Sequence, residues 1–144
     1  MKEQDTVKLL QECDSGSKMA VNTIDEILES VRDPNLKEHL KNSKKEHEKL
    51  QEEIASLLEQ YDAREKEPTW MARGMSWMKI NAEMLMEHSD TVIARLTSEG
   101  CSMGIRNLSH ARNEYQGADE KAGNLCDRMI SSEKNLLEKL QAFL

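Results

Sequence analysis

Asp14, His47 and Glu133 are the side chains in this chain whose types and positions point to chemistry. Each falls on the apolar stripe of a helical pattern, where burying a carboxylate or imidazole costs several kcal/mol unless something compensates it. Ser17, next to Asp14 on its stripe, and Ser43, one turn before His47, extend the polar set. The spacing therefore predicts a polar layer near the middle of the fold, and three uses for it stay open. The first is a satisfied network of Asp14, His47, Glu133 and Arg112 that fixes helix register, Arg112 sharing an inward face with Leu108 and Tyr115. The second is a metal or ligand site. In the third, some of these residues lie at the edge of a stripe and reach solvent.

The elements that must position these residues follow from spacing. Val7, Leu10, Asp14, Ser17, Val21, Ile24, Leu28 and Val31 alternate steps of three and four, which predicts a helix over 3–31. Asp33 and Pro34 stop it and start the next, because Asp caps free N–H groups and Pro fits a first helical position. Leu36, Leu40, Ser43, His47, Leu50, Ile54, Leu57 and Tyr61 carry the second helix, with Lys44–Glu48 and Lys49–Glu53 expected to pair on its outer faces. Residues 62–77 break the pattern with Pro68 and Gly74, and sixteen extended residues span about 50 Å, enough to cross the end of a bundle. A third pattern runs from Met78 to Tyr115 through Leu85, Val92, Leu96 and Met103, weakened by Gly100 and Gly104, where a bend or break is expected. After Gly117, Ala122, Cys126, Met129, Glu133, Leu136, Leu140 and Phe143 predict a last helix reaching the C-terminus. An antiparallel hairpin is expected at Asp33–Pro34, and an all-α four-helix bundle occupying residues 1–144 as one domain.

Composition narrows the function classes. Of 144 residues, 3% are aromatic and two are proline, which excludes an all-β sandwich or barrel. A formal charge of −7 repels phosphate backbones and anionic lipid surfaces, so neither nucleic acid nor membrane is expected as a partner. The charged N-terminus and the lack of a long apolar run predict a cytoplasmic chain. Cys13, Cys101 and Cys126 are an odd number without metal-ligand spacing and read as buried reduced thiols. His39, His88 and His110 form no paired ligand motif and read as surface or packing residues. Neither a G-x-S-x-G elbow nor a glycine-rich phosphate loop occurs. Met71, Met75, Met78, Met84 and Met86 with Trp70 and Trp77 form a soft, aromatic cluster, read either as core or as a contact surface for a second copy.

The segments MSWMKINAEML, SEGCSMGIRNL, NEYQGADEKAGNL and SSEKNLLEKLQAFL are similar to those of uncharacterised small ferritin-like proteins of Firmicutes, and the polar mid-bundle positions resemble the ferritin-like superfamily. The resemblance implies a bacterial ferritin-like bundle with a long connection between its second and third helices. In that superfamily, di-metal ligands are inward glutamates on two helices and a Glu-x-x-His on each of the others. Here Asp14 stands for a Glu, His47 follows Lys44 at the Glu position, Glu133 is followed by Leu136 where His would sit, and no Glu-x-x-His occurs. What remains as a ligand set is Asp14, His47 and Glu133, with Glu99 or Glu87 from the third helix. The expectation is a non-catalytic structural or binding module without a cofactor that self-associates as a homodimer. The alternative is an atypical carboxylate protein binding iron or manganese in the polar layer, and a third class is a small-molecule carrier with a cavity lined by Met and Leu.

Overall fold

A computed structural model describes residues 2–66 and 89–144 of the protein. Four α-helices form among them, with no strand: α1 (Lys2–Ile27), α2 (Pro34–Gln60), α3 (Asp90–Glu114) and α4 (Glu120–Leu140). The expected stop and restart is in place. Asp33 caps α2, its Oδ1 accepting the N–H groups of Asn35 (2.7 Å) and Leu36 (3.2 Å), and Pro34 follows as the first helical residue.

Side-chain latches between the helix ends set their directions. The N–H groups of Arg32 and Asp33 donate to the two carboxylate oxygens of Asp90, each at 2.9 Å, so α3 begins beside the α1–α2 joint. At the other end, the Gly117 N–H donates to Asp5 Oδ2 (2.9 Å) and the Asp119 N–H to Thr6 Oγ1 (2.8 Å), so α4 begins beside the start of α1. A Cβ on Gly117 would stand 2.6 Å from Asp5 Oδ2, so this latch requires glycine. α1 and α4 therefore run one way and α2 and α3 the other. Around the bundle, α1 packs on α2, α2 on α4, α4 on α3 and α3 on α1, with α1 also touching α4 across the middle. The chain leaves α2 at one end and enters α3 at the other, about 40 Å away for a helix of 27 residues.

Several boundaries differ from the periodicity. α1 stops at Ile27 and a single 3-10 turn covers Leu28–Ser30. Ser89 is extended and caps α3, its Oγ accepting the Val92 N–H (3.1 Å), so the pattern from Met78 to Tyr115 is not one helix; Met78 and Leu85 lie outside the described residues. No break divides α3 at Gly100 or Gly104, which both lie inside an uninterrupted helix. The buried arc of α1 is wider than one stripe, because it touches three helices. Leu9, Cys13 and Ile27 are buried alongside Leu10 and Ile24, while Val7, Val21 and Leu28 are half-buried. Leu58 takes the buried place expected for Leu57. After α2, Asp62 adopts a left-handed conformation (φ 55°), letting the Asp62 N–H donate to Glu59 O and the Ala63 N–H to Leu58 O, which closes the helix end.

The ion pairs expected within α2 also give way to pairs between helices. Lys44 meets Asp25 of α1, and Glu53 accepts a two-pronged contact from Arg128 of α4 (3.0 and 2.7 Å).

Two predictions arise here. Nothing stands within 4 Å of a Cβ built on Gly100, so Gly100→Ala is expected to stabilise the fold by about 0.5–1 kcal/mol through helix propensity, raising Tm by a few degrees in a thermal melt. An unchanged or lowered Tm contradicts the open space on that face. The second concerns Asp119, the cap of α4. Burial pushes its carboxyl up, but the hydrogen bonds from the Tyr61 hydroxyl and the Ala122 N–H, with Lys2 and Lys121 nearby, outweigh this and hold it below the usual range. A depressed carboxyl stabilises the fold above its unfolded pKa, near 3.9, and loses that contribution as pH falls through the folded value. The urea midpoint is therefore expected to fall below about pH 4 more steeply in wild type than in Asp119→Asn, and parallel curves count against the linkage.

Candidate functional site

The apolar core is split in two. One cluster, built on Ile24, Ile27, Leu36, Leu40, Val92, Leu96 and Leu140, fills the end nearest the α1–α2 joint. The other, built on Leu9, Leu10, Ile54, Leu58, Leu108, Cys126 and Met129, fills the opposite end. The polar residues lie between them, and Asp14, Ser17, Ser43, His47 and Glu133 are all buried as expected.

They do not form one network. His47 of α2 and Glu133 of α4 meet: Nε2 lies 2.7 Å from Oε1, with His47 0% and Glu133 7% exposed. The contact is too oblique for a directed hydrogen bond, and the ring's Nδ1 has no partner, so this one approach holds the imidazole. Asp14 is engaged elsewhere, through one oxygen only, since its buried Oδ1 has no hydrogen-bond partner among the described residues. Its Oδ2 lies 2.9 Å from Lys18 Nζ, one turn on, and accepts the backbone N–H of Lys66 at 2.9 Å. Gln11 Nε2 donates to Arg64 O (3.0 Å) beside it, so this face of α1 fastens the chain that leaves α2. Ser17 turns its hydroxyl back to Asp14 O (2.9 Å). Arg112 does not enter the layer: it is half-buried, crosses over Gly123 and pairs with Asp127 (3.2 Å), because the length of its side chain lets it reach the α4 flank. Glu99 is exposed and Glu87 lies outside the described residues.

Of the candidate metal ligands, then, His47 and Glu133 come together and Asp14 does not join them. No three His, Cys, Asp or Glu side chains among the described residues are placed to share an ion. His110 pairs with Glu114 (3.3 Å) on an exposed face, legible in the sequence as an i, i+4 spacing. His39 packs edge-on to Phe143, and His88 lies outside the described residues, as does the whole Trp and Met cluster.

The three cysteines are buried and free. Cys13 is held protonated by its hydrogen bond to Cys126 and by burial. Burial pushes the Cys101 thiol far up, and the charge and hydrogen bonding of the adjacent Glu133 carboxylate push it further, so this thiol is a neutral packing group.

The sequence did not place the cavity. A space of about 120 Å³ opens between α1 and α3 at the level of the polar layer, walled by Met19, Ile24, Leu108, Met129 and Leu136. Gly16 and Ala20 of α1 face Gly100 and Gly104 of α3 across it, and those four small residues leave the room unfilled. Their spacing of four on each helix was its only signal in the sequence. Glu133, Cys101, Thr97, Ser43 and Thr23 also line it. The hydroxyls of Ser43 (4% exposed) and Thr23 (9%) have no hydrogen-bond partner among the described residues, an uncommon arrangement for buried polar atoms. Grooves along α2 and α4, by contrast, are open and edged with Glu53, Lys121 and Arg128.

No described helix is long and apolar enough to cross a membrane. The chain matches no known protein family, no curated protein and no solved structure.

Proposed function

We propose that this protein is a non-catalytic binding module that holds a small molecule in the cavity between α1 and α3. The observation that carries this reading is the pairing of an apolar-walled space of about 120 Å³ with buried hydroxyls, Ser43 and Thr23, that have no partner among the described residues. Water in a largely apolar-walled space finds few hydrogen bonds, and an unpaired buried hydroxyl costs about 1–3 kcal/mol. A ligand offsets both. Gly100 and Gly104 on α3 cost helix propensity where the space opens, and they leave room there that larger side chains would fill.

The helix directions support a ferritin-like order, with one long connection joining α2 to α3. Self-association as a homodimer remains part of the reading, and sedimentation of the full chain at micromolar concentration tests it: a single monomeric species sinks it.

Binding is tested by titrating the full ¹⁵N-labelled chain with 1-pentanol, n-pentylamine, pentanoate and 4-amino-1-butanol. At least one is expected to give saturable amide shifts at Gly16, Gly100 and Gly104, lost when Ala20→Leu fills the space. If none saturates, or the filled variant responds equally, the module does not bind in this cavity.

A further inference from the structure

The cavity is polar in two tiers, and their separation identifies a ligand class. Resting on the binding function proposed above, we infer that it takes a small primary amino alcohol, its ammonium at Glu133 and its hydroxyl at Ser43, Thr97 and Thr23.

The lower tier is the Glu133 carboxylate. Oε1 faces His47, while Oε2 faces Gly104, 3.5 Å from where a Cβ would stand, so the missing side chain leaves that oxygen open toward the cavity. Among the described residues that line the cavity, Glu12 and Glu133 are the only charged side chains, and Glu12 already meets Lys66. None of the described lining residues is Lys or Arg, so these walls offer an anion no cation, whereas an ammonium finds a buried carboxylate oxygen.

The upper tier is three hydroxyls from three helices. Ser43 precedes His47 by one turn on α2, and Thr97 precedes Cys101, the neighbour of Glu133, by one turn on α3. Since α2 and α3 run in the same direction, both hydroxyls are displaced toward the same end. Thr23, lying beyond Gly16 and Ala20 on the opposed α1, is displaced the same way. Ser43 Oγ and Thr23 Oγ1 have no partner among the described residues, and Thr97 Oγ1, which donates to Ile93 O (2.7 Å), can still accept. This tier both donates and accepts, as an alcohol requires.

One helical turn separates the tiers by about 6 Å, a distance that a chain of about four carbons spans. Met129, Leu136 and Ile24 provide the apolar wall for those methylenes. A 150 Å³ cavity accommodates benzene, so about 120 Å³ suits a molecule of roughly six non-hydrogen atoms. 4-Amino-1-butanol meets all of these conditions.

The test compares affinities of the full chain by the same amide titration. 4-Amino-1-butanol is expected to bind at least tenfold more tightly than n-pentylamine, which lacks the hydroxyl, and than 1-pentanol, which lacks the ammonium; 4-hydroxybutyrate is expected not to bind. Ser43→Ala should weaken 4-amino-1-butanol about tenfold and leave n-pentylamine unchanged. Glu133→Gln should weaken both amines and spare 1-pentanol. The ligand series and Ser43→Ala decide the matter even if Glu133→Gln folds poorly. If 1-pentanol or 4-hydroxybutyrate binds as tightly as the amino alcohol, the cavity is a binding site but this ligand class is wrong. If no probe binds, the binding function falls with it.

Discussion

Glu133→Ala is expected to cost about 3–5 kcal/mol of stability, a large share of the 5–15 kcal/mol typical of a domain. Among the described residues, the substitution removes the only close polar partner of an imidazole that is fully buried and whose Nδ1 already has none. What it leaves behind, and not the attraction it removes, sets the size of the loss. The adjoining cavity works the other way, since water entering it can reach the freed ring, which places the expected value toward the lower end of that range. The double variant His47→Leu with Glu133→Leu is expected to recover to within about 1 kcal/mol of wild type, because both polar groups are gone and the cavity accepts the extra volume. Urea denaturation of the single and double variants measures this as a coupling energy. A loss below about 1 kcal/mol for Glu133→Ala would mean that the pair does not clasp α2 to α4.

Asp14→Ala is expected to cost about 2–4 kcal/mol and to loosen the chain that leaves α2. The Asp14 carboxylate compensates two groups at once, the Lys18 ammonium, whose side chain is mostly buried, and the Lys66 backbone N–H. Deleting it strands both. Arg64 and Lys66 are exposed, so limited trypsin digestion should cut after them at least tenfold faster in the variant. Asp14→Asn should fall between, because an amide oxygen still accepts the Lys66 N–H but gives up the ion pair with Lys18. Equal digestion rates in all three proteins would show that Gln11 and Glu12 hold this stretch unaided.

Much of the fold was legible because helices are local objects. The Asp33–Pro34 joint, the run of α2 and the start of α4 after Gly117 rest on capping and on contacts within four residues, and the structure places them where periodicity does. Burial of Asp14, His47 and Glu133 was legible for the same reason: each interrupts an apolar stripe, and the stripe faces inward. Failures came where neighbours intervene. Ser89 breaks a continuous pattern because its hydroxyl caps α3, and the arc of α1 is wider than its stripe because three helices press on it. Arg112 shares a face with Leu108 yet ends on Asp127, since a long side chain follows the nearest carboxylate and not its Cβ direction.

By itself, then, the sequence determined the extent of α2 and the start of α4, the level at which polar residues interrupt the core, and an all-α architecture with a net negative charge. Only the tertiary structure decided which of those polar residues meet. His47 finds Glu133 and Asp14 finds Lys66 because the rotation and offset of one helix against another are properties of the pair, and no single stripe contains them. The cavity is the same case in reverse. Gly16 and Ala20 on α1 become a void only because Gly100 and Gly104 of α3 stand opposite them at the same height, a coincidence of levels that exists only once the bundle is assembled.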